Sequence, residues 1–261
     1  PGDSIQMSGA KSLTAQWVQI FNVHYTLNGG TTTNPSAVAD EQLADGSPHN
    51  VAAATGLSKS GYTFAGWIDQ AGLSVAAGSQ MTVSANRYLL YAQWNAITYQ
   101  FPYNSNGATE SIANESGTIG QTITLATATD LTKTGFVLKG FTIGTNPTLL
   151  GPGASYTIGA AGETISAVWE AKSFKYIYDL NRGTAANSIS AGSAAYGSSI
   201  TVTSEVPTRT AHTFDHWLQT SGGLSASVGE TFTAGSTLTM PAENITLVAQ
   251  WDPTLYTVTY A

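Results

Sequence analysis

The sequence contains no cysteine, few charged residues and no long apolar run, and each of these absences excludes a class of function. Without cysteine, the 261 residues form neither disulfides nor thiolate metal sites, so stability must come from packing. Charged residues are only 10% of the chain and the net charge is −7, which leaves no basic surface for nucleic acid or anionic lipid. No apolar stretch approaches the roughly 18 residues that span a bilayer. We therefore expect no nucleic-acid partner and no membrane insertion.

A repeated unit fills the sequence. Tryptophan closes the runs LTAQW, LYAQW, ISAVW and LVAQW at positions 17, 94, 169 and 251, which are 77, 75 and 82 residues apart. Each run has an aliphatic residue four positions before the tryptophan and an alanine two before it, so all three share one face of a strand. A unit written several times is more typical of a spacer, a scaffold or a multivalent binder than of a catalytic site.

Two further motifs keep the same register. An aromatic block, preceded by a basic residue at Lys59, Lys133 or Arg209, reads GYTFAGW (61–67), GFVLKGF (135–141) and AHTFDHW (211–217). Each repeat opens with an alternating segment that runs into an Asn-centred turn: FNVHYTLNGGT (21–31), YQFPYNSNGAT (99–109) and FKYIYDLNRGT (174–184). Asparagine and glycine tolerate positive φ, so these segments predict half-buried strands that end in hairpin turns.

A third alternating strand is predicted at GQTITLATA (120–128) and GSSITVTSE (197–205). In the first repeat the corresponding segment, residues 35–55, is rich in alanine and has room for one short helix. The sequence therefore predicts a mainly β protein.

The period also predicts the domain boundaries. We expect the end of one repeat, then a first, second and third repeat, then the first strand of a following repeat, at residues 1–19, 20–96, 97–171, 172–253 and 254–261. The chain would then be a segment of a longer protein. Only four or five residues, without Gly-Ser or Pro-rich spacers, join each repeat to the next. Compact units roughly 30 Å across would then form an elongated rod of roughly 90 to 120 Å.

The large aromatic residues are the candidate site residues. Tryptophans on an exposed flat face could stack on sugars, but their phase with alanine and leucine or isoleucine favours burial. We predict that they form the structural core of each repeat, at Trp17, Trp67, Trp94, Phe141, Trp169, Trp217 and Trp251.

His212, Asp215 and His216 are candidate ligands for a metal ion. Two histidines four positions apart could bind a metal on a helix, but this block aligns with strands, on which they would lie about 13 Å apart. Phosphate loops, Ser-His-Asp orders and paired carboxylates are not evident. We expect no catalytic residue, no cofactor and no metal ligand.

The recurring basic residues, Lys59, Lys133 and Arg209, allow two interpretations. They could form a stripe that binds a ligand. We favour a solvated strand edge or a salt bridge inside each repeat.

Together, the aromatic strand with NGG, the basic residue two positions before GYTFAGW, and YAQW resemble the Listeria–Bacteroides repeat, the internalin B-type B repeat. The resemblance covers the whole chain and is closest in the first repeat. In the second repeat Phe141 replaces the tryptophan of the aromatic block, and the closing run ends in Ala-Val-Trp. In the third repeat AHTFDHW replaces the glycine-flanked motif. The resemblance implies small β-grasp-like (ubiquitin-like) modules in a bacterial cell-surface or wall-associated protein. It brings no catalytic residues with it.

The function expected from all of this is non-enzymatic. We expect a stalk or adhesive segment of an extracellular adhesin that projects a terminal domain and makes weak multivalent contacts. Its partner would be an unidentified protein or glycan on a host or neighbouring cell, besides the neighbouring repeats of the same chain. The alternative is an accessory carbohydrate-binding array of a secreted polysaccharide-degrading enzyme. Exposed, stacking tryptophans favour that alternative, and buried ones favour the stalk.

Overall fold

The structure is a computed structural model that describes Gly9, Ser12 and residues 14–85, 87–221 and 229–259. It is mainly β, as predicted, and its described residues contain no α-helix. Contacts divide it into two compact units. The first comprises the described residues up to Tyr99 with Gly117–Gln121 and Ile158–Ala161; the second comprises Gln100–Ser116, Thr122–Thr157 and the described residues from Gly162 onward.

In the first repeat the central element is a mixed five-stranded sheet. Its order is β3-β1-β9-β6-β7, with β1 parallel to β9 and the other neighbours antiparallel. Two short pairs, β2-β5 and β4-β8, flank it. The strands are β1 (Ile20–Thr26), β2 (Thr31–Thr32), β3 (Glu41–Ala44), β4 (Pro48–Asn50), β5 (Leu57–Ser58), β6 (Tyr62–Asp69), β7 (Ser74–Val75), β8 (Gln80–Thr82) and β9 (Leu89–Ala96).

The segment predicted to have room for a helix forms only a four-residue 3-10 turn, Pro35–Val38. The residues after it enter strands β3 and β4. The core at this place is filled by Val51, Met81 and Val83, which lie in or next to β4 and β8. Side chains from this strand pair therefore fill the part of the core where the alanine-rich segment had room for a helix.

The second repeat has the same strand order with one interruption. Pro102 lacks an N–H and splits the opening strand in two. The first half pairs with β12, and the second half runs parallel to β17 in the sheet β11-β17-β14-β15, while β13 pairs with β16. The strands are β10 (Thr98–Phe101), β11 (Tyr103–Asn104), β12 (Glu115–Thr118), β13 (Thr122–Thr124), β14 (Phe136–Ile143), β15 (Asn146–Leu150), β16 (Ser155–Thr157) and β17 (Ile165–Ala171).

The third repeat restores the five-stranded sheet. Its order is β19-β18-β24-β21-β22, again with the first strand parallel to the last, and β20 pairs with β23. The strands are β18 (Ser173–Asp179), β19 (Gly192–Ala195), β20 (Ser199–Thr201), β21 (His212–Ser221), β22 (Thr231–Phe232), β23 (Thr237–Thr239) and β24 (Ile245–Pro253).

The alternation read from the sequence sets the buried face of the opening strand. In β1 the side chains of Phe21, Val23 and Tyr25 are buried, whereas Asn22 and His24 are exposed. This confirms the predicted phase of the first opening strand, and it places the core on one face of the sheet.

A β-bulge breaks the alternation inside each aromatic block. The register of β6 against β9 shifts between Phe64 and Gly66, and that of β14 against β17 shifts between Leu138 and Gly140. Both glycines have positive φ, 120° and 149°. The extra residue turns the next aromatic side chain into the core, which explains the glycine before it in the motif.

Candidate functional site

Three of the predicted core aromatics lie at the centre of the repeats. Trp67 is 1% exposed, and Phe141 and Trp217 are 0% exposed. Trp67 also donates its indole N–H to the Ala52 carbonyl oxygen, at 2.9 Å. None of these rings offers a face on which a sugar could stack.

The run-closing tryptophans Trp94, Trp169 and Trp251 are only half-buried. The fully buried positions of the run are those two and four residues earlier, such as Ala92 and Leu90. These tryptophans are therefore less deeply buried than their phase predicted. Their rings lie at the end of the sheet, against the Asn-centred turn of the same repeat.

The prediction of a core position is also wrong for Trp17, which is 92% exposed and lies in none of the cores that the structure describes. The indole of Trp94 binds a turn 67 residues before it, at Leu27. Phase along the run alone does not show what surrounds the tryptophan ring.

The Asn-centred turn brings together residues from the opening segment, the basic position and the tryptophan run, and we call it the turn cluster: Asn28, Lys59 and Trp94 in the first repeat. Asn28 has φ 49°, and its Nδ2 donates to the Ala92 carbonyl, at 2.8 Å. Trp94 Nε1 donates to the Leu27 carbonyl, at 2.9 Å. The asparagine side chain and the tryptophan ring thus tie the turn to the last strand of the sheet.

The same cluster occurs in the second repeat. Asn106 Nδ2 donates to the Ala167 carbonyl, at 2.6 Å, and Trp169 Nε1 donates to the Ser105 carbonyl, at 2.9 Å. In the third repeat Asn181 Nδ2 keeps its bond to the strand, at 3.0 Å, but Trp251 Nε1 has no protein acceptor among the described residues.

The recurring lysines belong to this cluster. Lys59 Nζ donates to the Asn28 carbonyl, at 2.9 Å, and Lys133 Nζ donates to the Asn106 carbonyl, at 2.8 Å. Lys133 also lies 4.6 Å from the ring centre of Phe136. Their role is therefore a cap on the turn, which the sequence did not indicate, rather than the strand edge or salt bridge that we favoured. For Arg209 the structure describes no such bond.

In the second repeat the carboxylate of Glu110 lies beside the loop that contains Thr132. The Glu110 carboxylate accepts hydrogen bonds from the Thr132 hydroxyl and the Thr132 backbone N–H, both at 2.6 Å. The hydroxyl bond, followed by the backbone bond, lowers the pKa of Glu110 to about 2. Because the group is exposed and its oxygens are used to hold the loop, we assign it a structural role.

A buried polar cluster distinguishes the core of the first repeat. His49, 7% exposed, contacts the Tyr25 hydroxyl through Nε2 and donates from Nδ1 to Glu41, both at 2.8 Å. The Tyr25 oxygen also accepts the Ala52 N–H, at 2.8 Å, and burial raises the pKa of Tyr25. A Tyr-His-Glu chain could move a proton. Tyr25 is nevertheless buried, so no substrate reaches it.

One ion pair is also largely buried. The Asp69 side chain is fully buried and accepts the backbone N–H groups of Ala71 and Leu73 and the Nε–H of Arg87, at 2.9 to 3.0 Å. These bonds close the turn between β6 and β7. Every oxygen contact is used for structure, so the pair does not form a candidate reaction site.

The two histidines considered for a metal lie on the same strand, β21. His212 Nδ1 donates to the Thr210 carbonyl, at 2.8 Å, and His216 Nδ1 donates to its neighbour Asp215, at 2.7 Å. Over the part of the chain that the structure describes, no group of three metal-binding side chains comes together.

The first repeat also has an open depression of about 690 Å³ beside the bulge at Gly66. Phe64, Val75 and several alanines line it, and its polar lining is limited to Ser74 and Gln93. Without an ionisable side chain, this surface lacks the groups needed for acid–base or nucleophilic chemistry.

Comparisons with known proteins agree with the repeat pattern. The Listeria-Bacteroides repeat domain matches residues 21–93 and 174–250, which is more than half of the chain. A "Putative Gly-rich membrane protein" of Evansella cellulosilytica is 27% identical over 96% of this chain and 27% of its own length. A "Putative membrane protein" of the same organism is 26% identical over 95% of this chain and 34% of its own length. No solved structure matches the chain significantly.

The chain thus spans about a quarter to a third of the relatives that it matches. Among the described residues, no helix has the length and apolar character needed to cross a membrane.

Proposed function

The chain belongs to the Listeria–Bacteroides repeat family, and from that premise we propose that it is a non-enzymatic tandem-repeat segment of a bacterial cell-surface or secreted adhesin. In this role it holds a terminal domain away from the cell and adds weak multivalent contacts to a surface protein or glycan. The repeats themselves supply length and rigidity rather than chemistry.

One observation carries this proposal: the residues that recur in the motif bond mainly inside their own repeat. The asparagine, lysine and tryptophan of the turn cluster bond to one another's backbone or to the adjacent strand in the first and second repeats. A binding array would instead present its recurring residues to solvent, where a ligand could reach them.

The location is supported by the relatives, whose names describe membrane proteins and which are about three to four times as long as this chain. Such lengths leave room for anchor and terminal domains in those proteins. We extend this to the present chain as a proposal: it acts outside the cell, as part of a larger surface protein.

The finer description of the fold is likewise proposed. A mixed sheet with a central first strand parallel to the last is the arrangement expected of a β-grasp-like module, with a strand pair in place of the helix. Together with the short linkers, this favours a rod. Small-angle scattering should then give a maximum dimension of roughly 90 to 120 Å, and about 55 to 60 Å would contradict it.

The accessory carbohydrate-binding array is less well supported. It requires aromatic faces open to a sugar, whereas Trp67 and Trp217 are buried and Trp94 packs on its own turn. We therefore retain the spacer as the proposed function.

The direct test is to place the 261-residue chain between a wall anchor and an epitope tag on a bacterial surface. As a spacer it should raise antibody access to the tag, and a chain with residues 97–171 deleted should raise it less. A flexible Gly-Ser linker of equal length serves as the control for reach. If the chain and the linker give the same access, the spacer proposal is wrong. Micromolar binding of the free chain to cell-wall polysaccharide would favour the carbohydrate-binding array instead.

A further inference from the structure

Two glycines at equivalent places are buried beneath a side chain from further along the chain. Gly61 and Gly135 each follow the recurring lysine by two positions and have positive φ, 79° and 77°. A Cβ atom on Gly61 would lie 2.7 Å from Ile119 Cγ2, and one on Gly135 would lie 2.3 Å from Tyr196 Cδ1. Both distances are shorter than real Cβ contacts, so the covering side chain requires glycine beneath it. Each pair lies inside a single compact unit.

The two covering residues are themselves equivalent. Ile119 and Tyr196 stand directly before a turn glycine, Gly120 or Gly197, with φ 81° and 75°. Both side chains are half-buried. The Tyr196 ring also meets the ring of Phe136 edge to face, with centroids 5.4 Å apart and planes at 86°. The same contact is therefore built twice, once with an aliphatic and once with an aromatic side chain.

A backbone hydrogen bond from the linker accompanies each contact. Ile97 donates its N–H to the Gly61 carbonyl, at 2.9 Å, and Lys172 donates to the Gly135 carbonyl, at 2.8 Å. The Lys172 carbonyl in turn accepts the N–H of Tyr196, at 2.9 Å. Lys172 thus connects the loop of the second repeat to the covering residue of the third.

The equivalent positions at the two ends of the chain carry different residues. In the third repeat the equivalent loop residue is Ala211, which also has positive φ, 59°, and whose carbonyl accepts the Thr254 N–H, at 2.9 Å. Ala211 is exposed. In the first repeat the covering position is taken by Asp45, which is exposed as well.

We propose that Ile119 and Tyr196 are docking residues, through which a repeat binds the repeat before it. The partner that fits is a second repeat of this family with glycine two positions after its basic residue. Because the covering side chain shields the linker hydrogen bond from water, this docking links the local stability of one repeat to that of the next. The inference rests on these contacts and does not depend on the proposed spacer function.

Amide hydrogen exchange on the full chain tests the docking. In Tyr196→Asp, which places the residue type of Asp45 at the covering position, the Lys172 amide should exchange roughly tenfold faster, the factor expected for one lost contact. The Ile97 amide, at the other contact, should keep its rate. In Ile119→Asp the reverse is expected: the Ile97 amide should exchange faster and the Lys172 amide should keep its rate. A Lys172 rate unchanged in Tyr196→Asp, or both amides responding equally to either variant, would overturn the proposal.

A second set of variants keeps the test decisive if an aspartate prevents folding. Gly135→Ala should accelerate Lys172 exchange as Tyr196→Ser does, and the double variant should add little, because both remove the same contact. Ala211→Gly is the matched control and should leave Lys172 unchanged. The occurrence of alanine at Ala211 argues that the loop accepts this side chain. Fully additive effects of Gly135→Ala and Tyr196→Ser would contradict a docking contact.

Discussion

Trp67 donates its indole N–H to the carbonyl oxygen of Ala52, and the equivalent tryptophan of the third repeat, Trp217, finds no acceptor among the described residues. The reason lies in the backbone. In the first repeat the glycine of the neighbouring loop, Gly78, donates to Val51 and leaves the Ala52 oxygen to the indole. In the third repeat Gly235 donates to Thr203, the counterpart of Ala52, so the indole of Trp217 is left without that partner.

This difference predicts unequal effects of the same substitution. Trp67→Phe removes a buried hydrogen bond, whereas Trp217→Phe removes a buried donor for which the described part of the chain supplies no acceptor. The first should lower the free energy of unfolding by about 1 to 3 kcal/mol more than the second. Native-state exchange of the Leu90 and Leu247 amides reports each repeat separately. Equal losses in the two repeats would show that the hydrogen bond is of no consequence.

The hydrogen bond from Lys133 to its turn predicts that two lysine substitutions in the same repeat have unequal effects on stability. Lys133→Met removes the bond to the Asn106 carbonyl and the contact with the Phe136 ring, and should cost about 1 to 2 kcal/mol. The matched control is Lys139→Met, which breaks only an exposed ion pair with Glu170 and should cost less than about 1 kcal/mol. Denaturant unfolding of each variant measures both values. A greater loss at Lys139 would contradict the cap.

The contact between Gly30 and Trp94 predicts a steric effect. A Cβ atom on Gly30 would lie 2.2 Å from Trp94 Cζ2, so Gly30→Ala should displace the ring and cost about 1 to 3 kcal/mol. Acrylamide quenching of Trp94 emission should rise, measured in a variant whose other tryptophans are replaced by phenylalanine. Gly159→Ala, where a Cβ meets nothing within 4 Å, is the control. If both variants behave alike, the ring does not depend on this glycine.

Glu110 predicts a pH dependence. Hydrogen bonds from Thr132 lower its pKa from 4.5 to about 2 in the folded state, so the ionised form favours folding. The contribution of Glu110 to the free energy of unfolding should be complete above pH 4.5 and should disappear as the pH falls toward 2. The difference in unfolding free energy between the natural chain and Glu110→Gln should therefore shrink over that range. Titration of the Glu110 carboxyl carbon by NMR checks the pKa, and a value near 4.5 would contradict the cause.

The sequence predicted the strands well where a period of two meets no interruption. Phe21, Val23 and Tyr25 are buried as their alternation indicated, and the Asn-Gly pair at Asn28 forms the expected positive-φ turn. The hairpin predicted there is wrong, because β2 after the turn pairs with β5 and not with β1. The alanine-rich segment after it was harder to interpret, because helix propensity competes with packing in the core. Core packing decided the structure here, since Val51 is buried directly after strand β4.

The turn cluster could not have been predicted from local pattern. Lys59 and the Asn28 carbonyl are 31 residues apart, and Trp94 and Leu27 are 67 apart. Periodicity assigns a residue to a face of its own strand, but it does not reveal which turn lies at the end of the neighbouring strand. For the same reason the phase of Trp94 indicated burial without showing that the ring lies at the rim of the sheet.

The polar cluster of Tyr25, His49 and Glu41 affects whether neighbouring repeats can exchange strands during folding. At the place of His49 the other two repeats have Ile123 and Ile200. If a neighbouring repeat inserted its own strand here during folding, the buried Tyr25 hydroxyl and the Glu41 carboxylate would lose their partner. An unsatisfied buried polar group costs about 1 to 3 kcal/mol, so strand exchange is penalised while the correct pairing is not. The polar cluster thus disfavours exchange of this strand between the first repeat and either of the other two.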